Sequence, residues 1–293
     1  MSNRIPTESR IFADRYFREA RRLEAMHADA IAPGTKTWGD ALEALFRRME
    51  RVGSPIKQAA ILKQALAYLD NVEPENAMHI RMLSGSYGKR AAALIFATFA
   101  AAKHPLGFDE EGLRILQHVM ICQRSGVSLT ADTVLTYVSR HAMSRLHERD
   151  YRLTAGAAFG VFGSLGVLGL ITRRSNHHIR GELCLRFNDI LCVGSIKHVG
   201  RRSTDGSLSD GSFLDVRTVL SANDVSDQGM LDQGALAFAT VIEWMRDRTM
   251  SRAETLAKAI PFRPRREDDF TLRSMDEITE KRAALPAALL LRE

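Results

Sequence analysis

The feature that most constrains how this chain folds is a stretch of twenty residues without a charge, from Leu153 to Thr172. As a helix, this stretch is about 30 Å long, which matches the hydrocarbon core of a bilayer. Arg152 precedes it, and Arg173 and Arg174 follow it, so basic side chains at both ends are able to reach lipid headgroups. The stretch therefore predicts a helix that either crosses a membrane or forms the centre of a folded body.

Five glycines are spaced through this stretch: Gly156, Gly160, Gly163, Gly166 and Gly169. In a water-exposed helix each costs about 1 kcal/mol relative to alanine, so their presence indicates a specific use. Glycine lets helix backbones approach closely, which drives helix association in lipid. Because three-residue steps drift by about 60° around a helix, the last four glycines predict contacts with more than one neighbour.

The composition of the stretch gives it only a modest preference for lipid. Its nine Leu, Ile, Val and Phe residues favour insertion by about 3 to 5 kcal/mol. A segment that is marginal in lipid is typical of a protein that is soluble first and inserts later. The alternative is a glycine-rich helix buried at the centre of a soluble bundle.

The residues before this stretch predict a helical domain over residues 1–150. Thr7 begins a first helix that continues to residue 30, Thr37 and Asp40 have the spacing of a capping box, and Ser54-Pro55 marks another helix start. Ala91 to Ala102 is uncharged but, at about 18 Å as a helix, too short to span a bilayer, so it predicts a buried core helix. Further helices are predicted over four ranges: 74–84, 86–103, 109–124 and 130–148.

The residues after the stretch differ in sequence pattern from those before it, and they predict a small α+β region over residues 175–293. Two short strands, 182–187 and 190–196, are predicted to form a hairpin at Asn188-Asp189. Residues 200–211, rich in Gly, Ser and Asp, predict an exposed loop, and a long helix is predicted over 228–248. The expected fold class is therefore mainly α: a helical bundle with a buried glycine-rich apolar helix (residues 151–174) and a small α+β C-terminal region.

No motif in the sequence indicates an enzyme, a cofactor or a metal site. The chain has no G-x-S-x-G, P-loop, H-E-x-x-H or C-x-x-C motif, and Glu110-Glu111 lies in polar surroundings that would not shift a carboxyl pKa. Cys122, Cys184 and Cys192 are an odd and sparse set, which predicts reduced thiols rather than disulfides. We therefore expect no catalytic residues, no cofactor and no bound metal.

The net charge of +6 favours an anionic partner, and the first helix is rich in arginine. Asp14, Glu19 and Glu24 interleave with those arginines, however, as on an ordinary salt-bridged helix face. No helix-turn-helix or aromatic stacking motif accompanies them, so nucleic acid is not an expected partner.

At Leu153 to Thr172 the chain resembles glycine-zipper pore-forming effectors of bacterial type VI secretion. The resemblance implies an interbacterial toxin that is made in the cytoplasm without a cleavable signal peptide, delivered to a target cell and inserted in its inner membrane, which it permeabilises or depolarises. It also implies a lipid bilayer as partner, self-association in the membrane through the five glycines, ion transport, and a cognate immunity protein. The chain departs from a helical-hairpin pore former, because only one full-length span is present. The alternative function is a soluble helical interaction or scaffold protein with 153–172 as a core helix.

Overall fold

The structure is a computed structural model that describes residues 6–73, 78–87, 91–149, 155–175, 182–202 and 208–250. Within these ranges the chain forms three helices, a four-stranded meander, two helices, three further strands and a long helix. The helices are α1 Thr7–Ile31, α2 Trp38–Val52, α3 Pro55–Asn71, α4 Arg140–Arg149, α5 Ala155–Ser175 and α6 Gln228–Met250.

The three N-terminal helices are confirmed, and their ends follow from local chemistry. The side-chain oxygen of Thr37 accepts a hydrogen bond from the Asp40 N–H at 3.1 Å, which caps α2 as its spacing predicts. Gly53 ends α2 with a φ of 64°, a conformation that costs glycine little. Pro55 then occupies the first turn of α3, where its missing N–H is not needed.

Seven strands of the described ranges form one mixed sheet in the order β1-β2-β3-β4-β7-β6-β5. The strands are β1 His79–Tyr87, β2 Ala91–Lys103, β3 Glu111–Gln123, β4 Gly126–Ser139, β5 Glu182–Phe187, β6 Ile190–Arg202 and β7 Leu208–Ser221. Neighbouring strands are antiparallel except β4 and β7, which pair in parallel from Thr136 opposite Leu214 to Val138 opposite Val216. The antiparallel meander β1–β4 and the antiparallel meander β5–β7 therefore meet at one short parallel junction.

Helices cover both faces of this sheet, but not to the same extent. On one face, the largest core joins α1, α4, α5 and α6 to strands from both meanders. On the other face, a second core joins α2 and α3 to β2 and β3, with Trp38, Leu62 and Phe96 at its centre. A smaller cluster, Cys184, Leu191 and Val193, packs with the start of α6 at the β5–β6 end.

The predicted mainly α fold is wrong, because residues 79–139 form four strands where helices were expected. The helices predicted over 74–84, 86–103 and 109–124 overlap β1, β2 and β3, and the one predicted over 130–148 is β4 up to Ser139 and is helical only from Arg140, in α4. The physical reason is clearest in β2, which lies between two helical layers and buries both of its faces. A strand buried on both sides loses the alternation of apolar and polar residues and resembles a buried helix in sequence.

The predictions for the region after residue 175 are confirmed in part. β5 and β6 form the expected hairpin, and Asn188 at its turn has a φ of 46°. The predicted exposed loop over 200–211 is wrong at both ends, because β6 continues to Arg202 and β7 begins at Leu208. The helix expected over 228–248 is confirmed as α6.

The long apolar stretch forms α5, and its residues 161–170 are all buried. Phe162, Leu165 and Leu168 pack in the main core against the sheet. Among the described residues, no helix combines the length and the apolar character that crossing a membrane requires. This finding contradicts the predicted membrane-inserting, pore-forming toxin. Leu153 and Thr154, the first residues of the predicted span, lie outside the described ranges.

Candidate functional site

The glycines predicted to pack helices in a membrane instead bring α5 close to the sheet. A Cβ atom added to Gly166 would lie 2.8 Å from Cγ2 of Ile115 in β3. A Cβ at Gly169 would overlap the backbone carbonyl of Leu135 and the hydroxyl of Thr136 in β4. The Thr136 hydroxyl also donates a hydrogen bond of 2.8 Å to the Leu165 carbonyl of α5. Gly166 and Gly169 are therefore required for helix-to-sheet contact.

The other residues of the predicted site are not brought together in the same way. Gly163 is buried within α5, whereas Gly160 is exposed and a Cβ there would meet no atom within 4 Å. Gly156 lies in the first turn of α5, and its surroundings fall outside what the structure describes. Of the flanking arginines, Arg152 lies outside the described ranges, and the side chains of Arg173 and Arg174 are not described either.

A different group of side chains converges at the parallel junction of the sheet, and we call it the Arg217 cluster. It consists of His104, Glu110, Tyr137, Asp215 and Arg217. His104 follows the end of β2, and Glu110 precedes β3. Tyr137 of β4 lies directly opposite Asp215 of β7, and Arg217 is the next β7 residue on the same face. The connection between β2 and β3, residues 104–110, folds over this face.

The buried carboxylate of Asp215 binds the guanidinium group of Arg217. The Asp215 side chain is fully buried, and its Oδ2 accepts a hydrogen bond of 2.8 Å from Arg217 Nε. Arg217 Nη1 donates to Glu110 Oε2 at 2.6 Å. The guanidinium plane is therefore fixed by two carboxylates that come from different parts of the chain. Asp215 Oδ1 is also buried and has no hydrogen-bond partner among the described residues.

His104 fills the space beneath the β2–β3 connection and is held neutral there. Its side chain is fully buried among the rings of Phe108, Tyr137 and Phe213. Burial lowers the pKa of His104, and the positive charge of Arg217 lowers it further, against the opposing effect of Asp215. The Leu106 N–H donates to Nδ1 at 3.2 Å, which leaves the ring proton on Nε2, 3.4 Å from Asp215 Oδ2.

The β2–β3 connection is itself tightly closed. The His104 N–H donates to the Glu110 carbonyl at 2.9 Å, and the same carbonyl accepts the Tyr137 hydroxyl at 3.0 Å. Gly107 has a φ of 84°, which a residue with a side chain rarely adopts. At Gly112 an added Cβ would lie 2.5 Å from Cζ of Tyr137, so this glycine makes room for the tyrosine ring over β3.

The outer side of the cluster remains open to solvent. The Arg217 side chain is 40% exposed, although Asp215 and His104 beneath it are fully buried. Nε of Arg217 donates to Asp215 and one Nη1 hydrogen donates to Glu110, whereas Nη2 lies 3.0 Å from His104 Nε2, which carries the ring proton and does not accept a hydrogen bond. Leu106 and Phe108 are 39% and 54% exposed, and the Phe108 ring lies on His104 with centroids 4.8 Å apart.

This arrangement favours recognition over acid–base chemistry. A general base needs a ring nitrogen that faces the substrate, but Nδ1 of His104 accepts a backbone N–H and Nε2 faces Asp215 and Arg217. Among the described residues, no group of three or more His, Cys, Asp or Glu side chains is placed to hold a metal ion. What the cluster does offer is a fixed, half-exposed guanidinium group beside exposed apolar side chains.

Sequence reasoning missed this cluster because its members lie far apart in the chain. His104 and Arg217 are separated by 113 positions, and no motif joins them. One local signal was present: Asp215 and Arg217 alternate with the core residues Leu214 and Val216 along β7. A charged pair on one face of an otherwise apolar strand indicates a polar site on that face of the sheet.

No protein-family model, no curated protein and no solved structure matches the chain.

Proposed function

We propose that this protein is a non-enzymatic binding protein that recognises a carboxylate-bearing, partly apolar segment of a protein partner. The recognition surface, which we call the Arg217–Phe108 surface, consists of Leu106, Phe108, Glu110 and Arg217. The observation that carries this proposal is the contrast within one ion pair: Asp215 is fully buried, whereas the Arg217 that it holds is 40% exposed.

A guanidinium group fixed in this way is suited to binding a carboxylate. Its planar fork matches the two oxygens of a carboxylate, and such charge-assisted hydrogen bonds are among the stronger ones in proteins. An exposed arginine normally loses side-chain freedom when it binds, but Asp215 and Glu110 have already restricted Arg217. Pre-organisation of this kind improves affinity because less entropy is lost on association.

The apolar part of the surface supports the same interpretation. Only six large hydrophobic side chains are exposed among the described residues, and two of them, Leu106 and Phe108, are on this short connection. Arginine and aromatic residues are enriched among those that dominate binding energy at protein interfaces. If the cluster served only to lock the β2–β3 connection onto the sheet, Phe108 would be expected to turn inward.

Peptide display against the full chain tests the proposal. Random peptides are selected on the wild-type protein, and the enriched peptides are then measured against two variants, Phe108→Ala and Arg217→Lys. Arg217→Lys keeps a positive charge for Asp215 but removes the planar fork, so it tests geometry without leaving a buried charge unpaired. We expect enriched peptides that combine Asp or Glu with an apolar residue, and a loss of affinity of about tenfold or more in each variant.

Ile56→Ala provides the matched control, because Ile56 is 45% exposed on a different surface, in α3. This variant should bind the enriched peptides as the wild type does. Peptides that lack acidic residues, or that bind Phe108→Ala and Arg217→Lys with unchanged affinity, would refute the proposed surface.

A further inference from the structure

The guanidinium group of Arg217 already binds two carboxylates of the chain itself, and the two differ sharply in exposure. Asp215, which accepts from Nε, is fully buried, whereas the Glu110 side chain, which accepts from Nη1, is 35% exposed. Removal of the arginine from Asp215 would leave a buried charge unpaired, which is strongly unfavourable, but a released Glu110 carboxylate would return to water. Glu110 is therefore the contact of Arg217 that a ligand can replace at a low cost in free energy.

The main chain at Glu110 does not have to move when its side chain is released. The Glu110 carbonyl accepts the His104 N–H at 2.9 Å and the Tyr137 hydroxyl at 3.0 Å. Neither of these hydrogen bonds involves the carboxylate. The β2–β3 connection therefore stays closed on the sheet when the Glu110 side chain turns outward, and Leu106 and Phe108 remain part of the same surface.

The exchange of one carboxylate for another conserves the charge and the hydrogen bond at Nη1. Glu110 Oε2 lies 2.6 Å from Nη1 of Arg217, so it marks the position that a ligand oxygen would take. A neutral acceptor, such as a backbone carbonyl, makes a weaker bond to a guanidinium group and does not compensate for the loss of an ion pair. The Glu110 contact thereby favours carboxylates over neutral acceptors, while it lowers the affinity for both.

We propose that Glu110 is an exchangeable, autoinhibitory carboxylate, which an acidic residue of the protein partner displaces from Arg217. This inference rests on the proposed function, because it assigns the step by which the partner reaches the same guanidinium group. While Glu110 occupies Nη1, the surface is only partly competent to bind, and the apparent affinity falls with the competent fraction. Weakening of the Glu110 contact therefore tightens binding, whereas substitution of Phe108 or Arg217 weakens it.

Affinity measurements on the full chain with an acidic peptide test the exchange. The probe is a display-selected peptide whose binding is weakened by Arg217→Lys, and its affinity is measured by fluorescence anisotropy. Glu110→Gln keeps the size of the side chain and removes its charge, so it should bind the peptide about fivefold more tightly than the wild type does. Glu110→Asp keeps the charge but shortens the side chain by one methylene, which weakens its hold on Nη1, so it should also bind more tightly.

Asp109→Asn is the matched control, because it removes one negative charge from the adjacent position, where Asp109 pairs with exposed Lys103. It should bind the peptide as the wild type does. A gain in Asp109→Asn equal to that in Glu110→Gln, or a gain that Glu110→Asp does not share, would mean that charge alone governs binding, and the exchange would be rejected.

The same measurements separate failure of the exchange from failure of the proposed function. If selected peptides depend on Arg217 but bind Glu110→Gln no more tightly than the wild type, the exchange is overturned and the recognition surface stands. If no selected peptide depends on Arg217, the recognition surface and the exchange are both overturned.

Discussion

His79 and Trp38 face each other beneath α2 and α3 with ring centroids 6.2 Å apart, and both side chains are fully buried. Among the described residues, the two ring nitrogens of His79 and the indole nitrogen of Trp38 have no hydrogen-bond partner. Burial lowers the pKa of His79 to about 4, with a smaller contribution from nearby His27. Burial also lowers the pKa of His118, which bonds to Thr98 at 2.7 Å, to about 3.

These two histidines should make the fold sensitive to acid. In the unfolded chain a histidine has a pKa of about 6.5, so between that value and the folded pKa the unfolded state binds more protons. Stability is therefore full above about pH 6.5 and is lost as the pH falls towards 4. Between pH 7.5 and pH 5 each histidine should remove about 2 kcal/mol from the free energy of unfolding, measured by urea denaturation followed by circular dichroism.

The variant His79→Leu separates this effect from general acid denaturation. Leucine has a similar volume and cannot be protonated, so the loss of stability between pH 7.5 and pH 5 should shrink by about 2 kcal/mol. His141→Leu is the control, because His141 is exposed, and it should leave most of the loss in place. An identical pH profile for the wild type and His79→Leu would show that His79 is not held neutral by burial.

The glycines of α5 should differ sharply in what an alanine does to stability. Gly160 is exposed and an added methyl group meets nothing, so Gly160→Ala should stabilise the protein by roughly 0.5 to 1 kcal/mol through helix propensity. Gly169 faces the Leu135 carbonyl and the Thr136 hydroxyl, so Gly169→Ala should lower the free energy of unfolding by about 1 to 3 kcal/mol. Urea denaturation of both variants at pH 7.5 checks the pair, and equal effects would contradict the close packing of α5 on the sheet.

The sequence predicted the helices whose ends and faces have local signals. The capping threonine Thr37, the Gly53 stop and the Pro55 start define α2 and α3 without reference to the rest of the fold. β5 and β6 were also recognisable, because the turn at Asn188-Asp189 separates two short apolar runs. Each of these signals is contained within a few residues, which is why single-sequence reasoning finds them.

The strand β2 could not be recognised in the same way, because tertiary packing determines it. β2 is apolar on both faces since it lies between two helical layers, and its twelve-residue alanine-rich run is equally compatible with a buried helix. β4 did carry a signal, in the β-branched residues Thr130, Thr133, Val134 and Val138. The candidate site depends on these strands, since Tyr137 and Asp215 meet only when β4 pairs with β7.

The three thiols of the protein should be protected in the native state. Cys122, Cys184 and Cys192 are all buried, and none of the three forms a disulfide. Burial raises the pKa of Cys192 to about 12 and also raises that of Cys122, so the reactive thiolate form is scarce at neutral pH. A thiol reagent at pH 7.5 should modify the native protein at least about 100-fold more slowly than the unfolded protein. Fewer than three thiols after unfolding without reductant would contradict the reduced state.

The hydroxyl of Tyr137 should tie the β2–β3 connection to the sheet. It donates a hydrogen bond of 3.0 Å to the Glu110 carbonyl, which also accepts the N–H of His104. Tyr137→Phe keeps the ring over Gly112 and removes only this bond, so the free energy of unfolding should fall by about 1 kcal/mol. Because the bond holds one end of the connection, amide hydrogen exchange over residues 104–110 should become faster.

Tyr68→Phe is the matched comparison for this variant, since the Tyr68 hydroxyl bonds to Nδ1 of His27 at 2.6 Å and Tyr68 packs against the second core. It should reduce stability by a similar amount and leave exchange over residues 104–110 unchanged. Faster exchange in both variants would mean that the β2–β3 connection opens only with the whole fold. Faster exchange in Tyr137→Phe alone would mean that the connection opens locally, so that Leu106 and Phe108 move independently of the buried Asp215 beneath them.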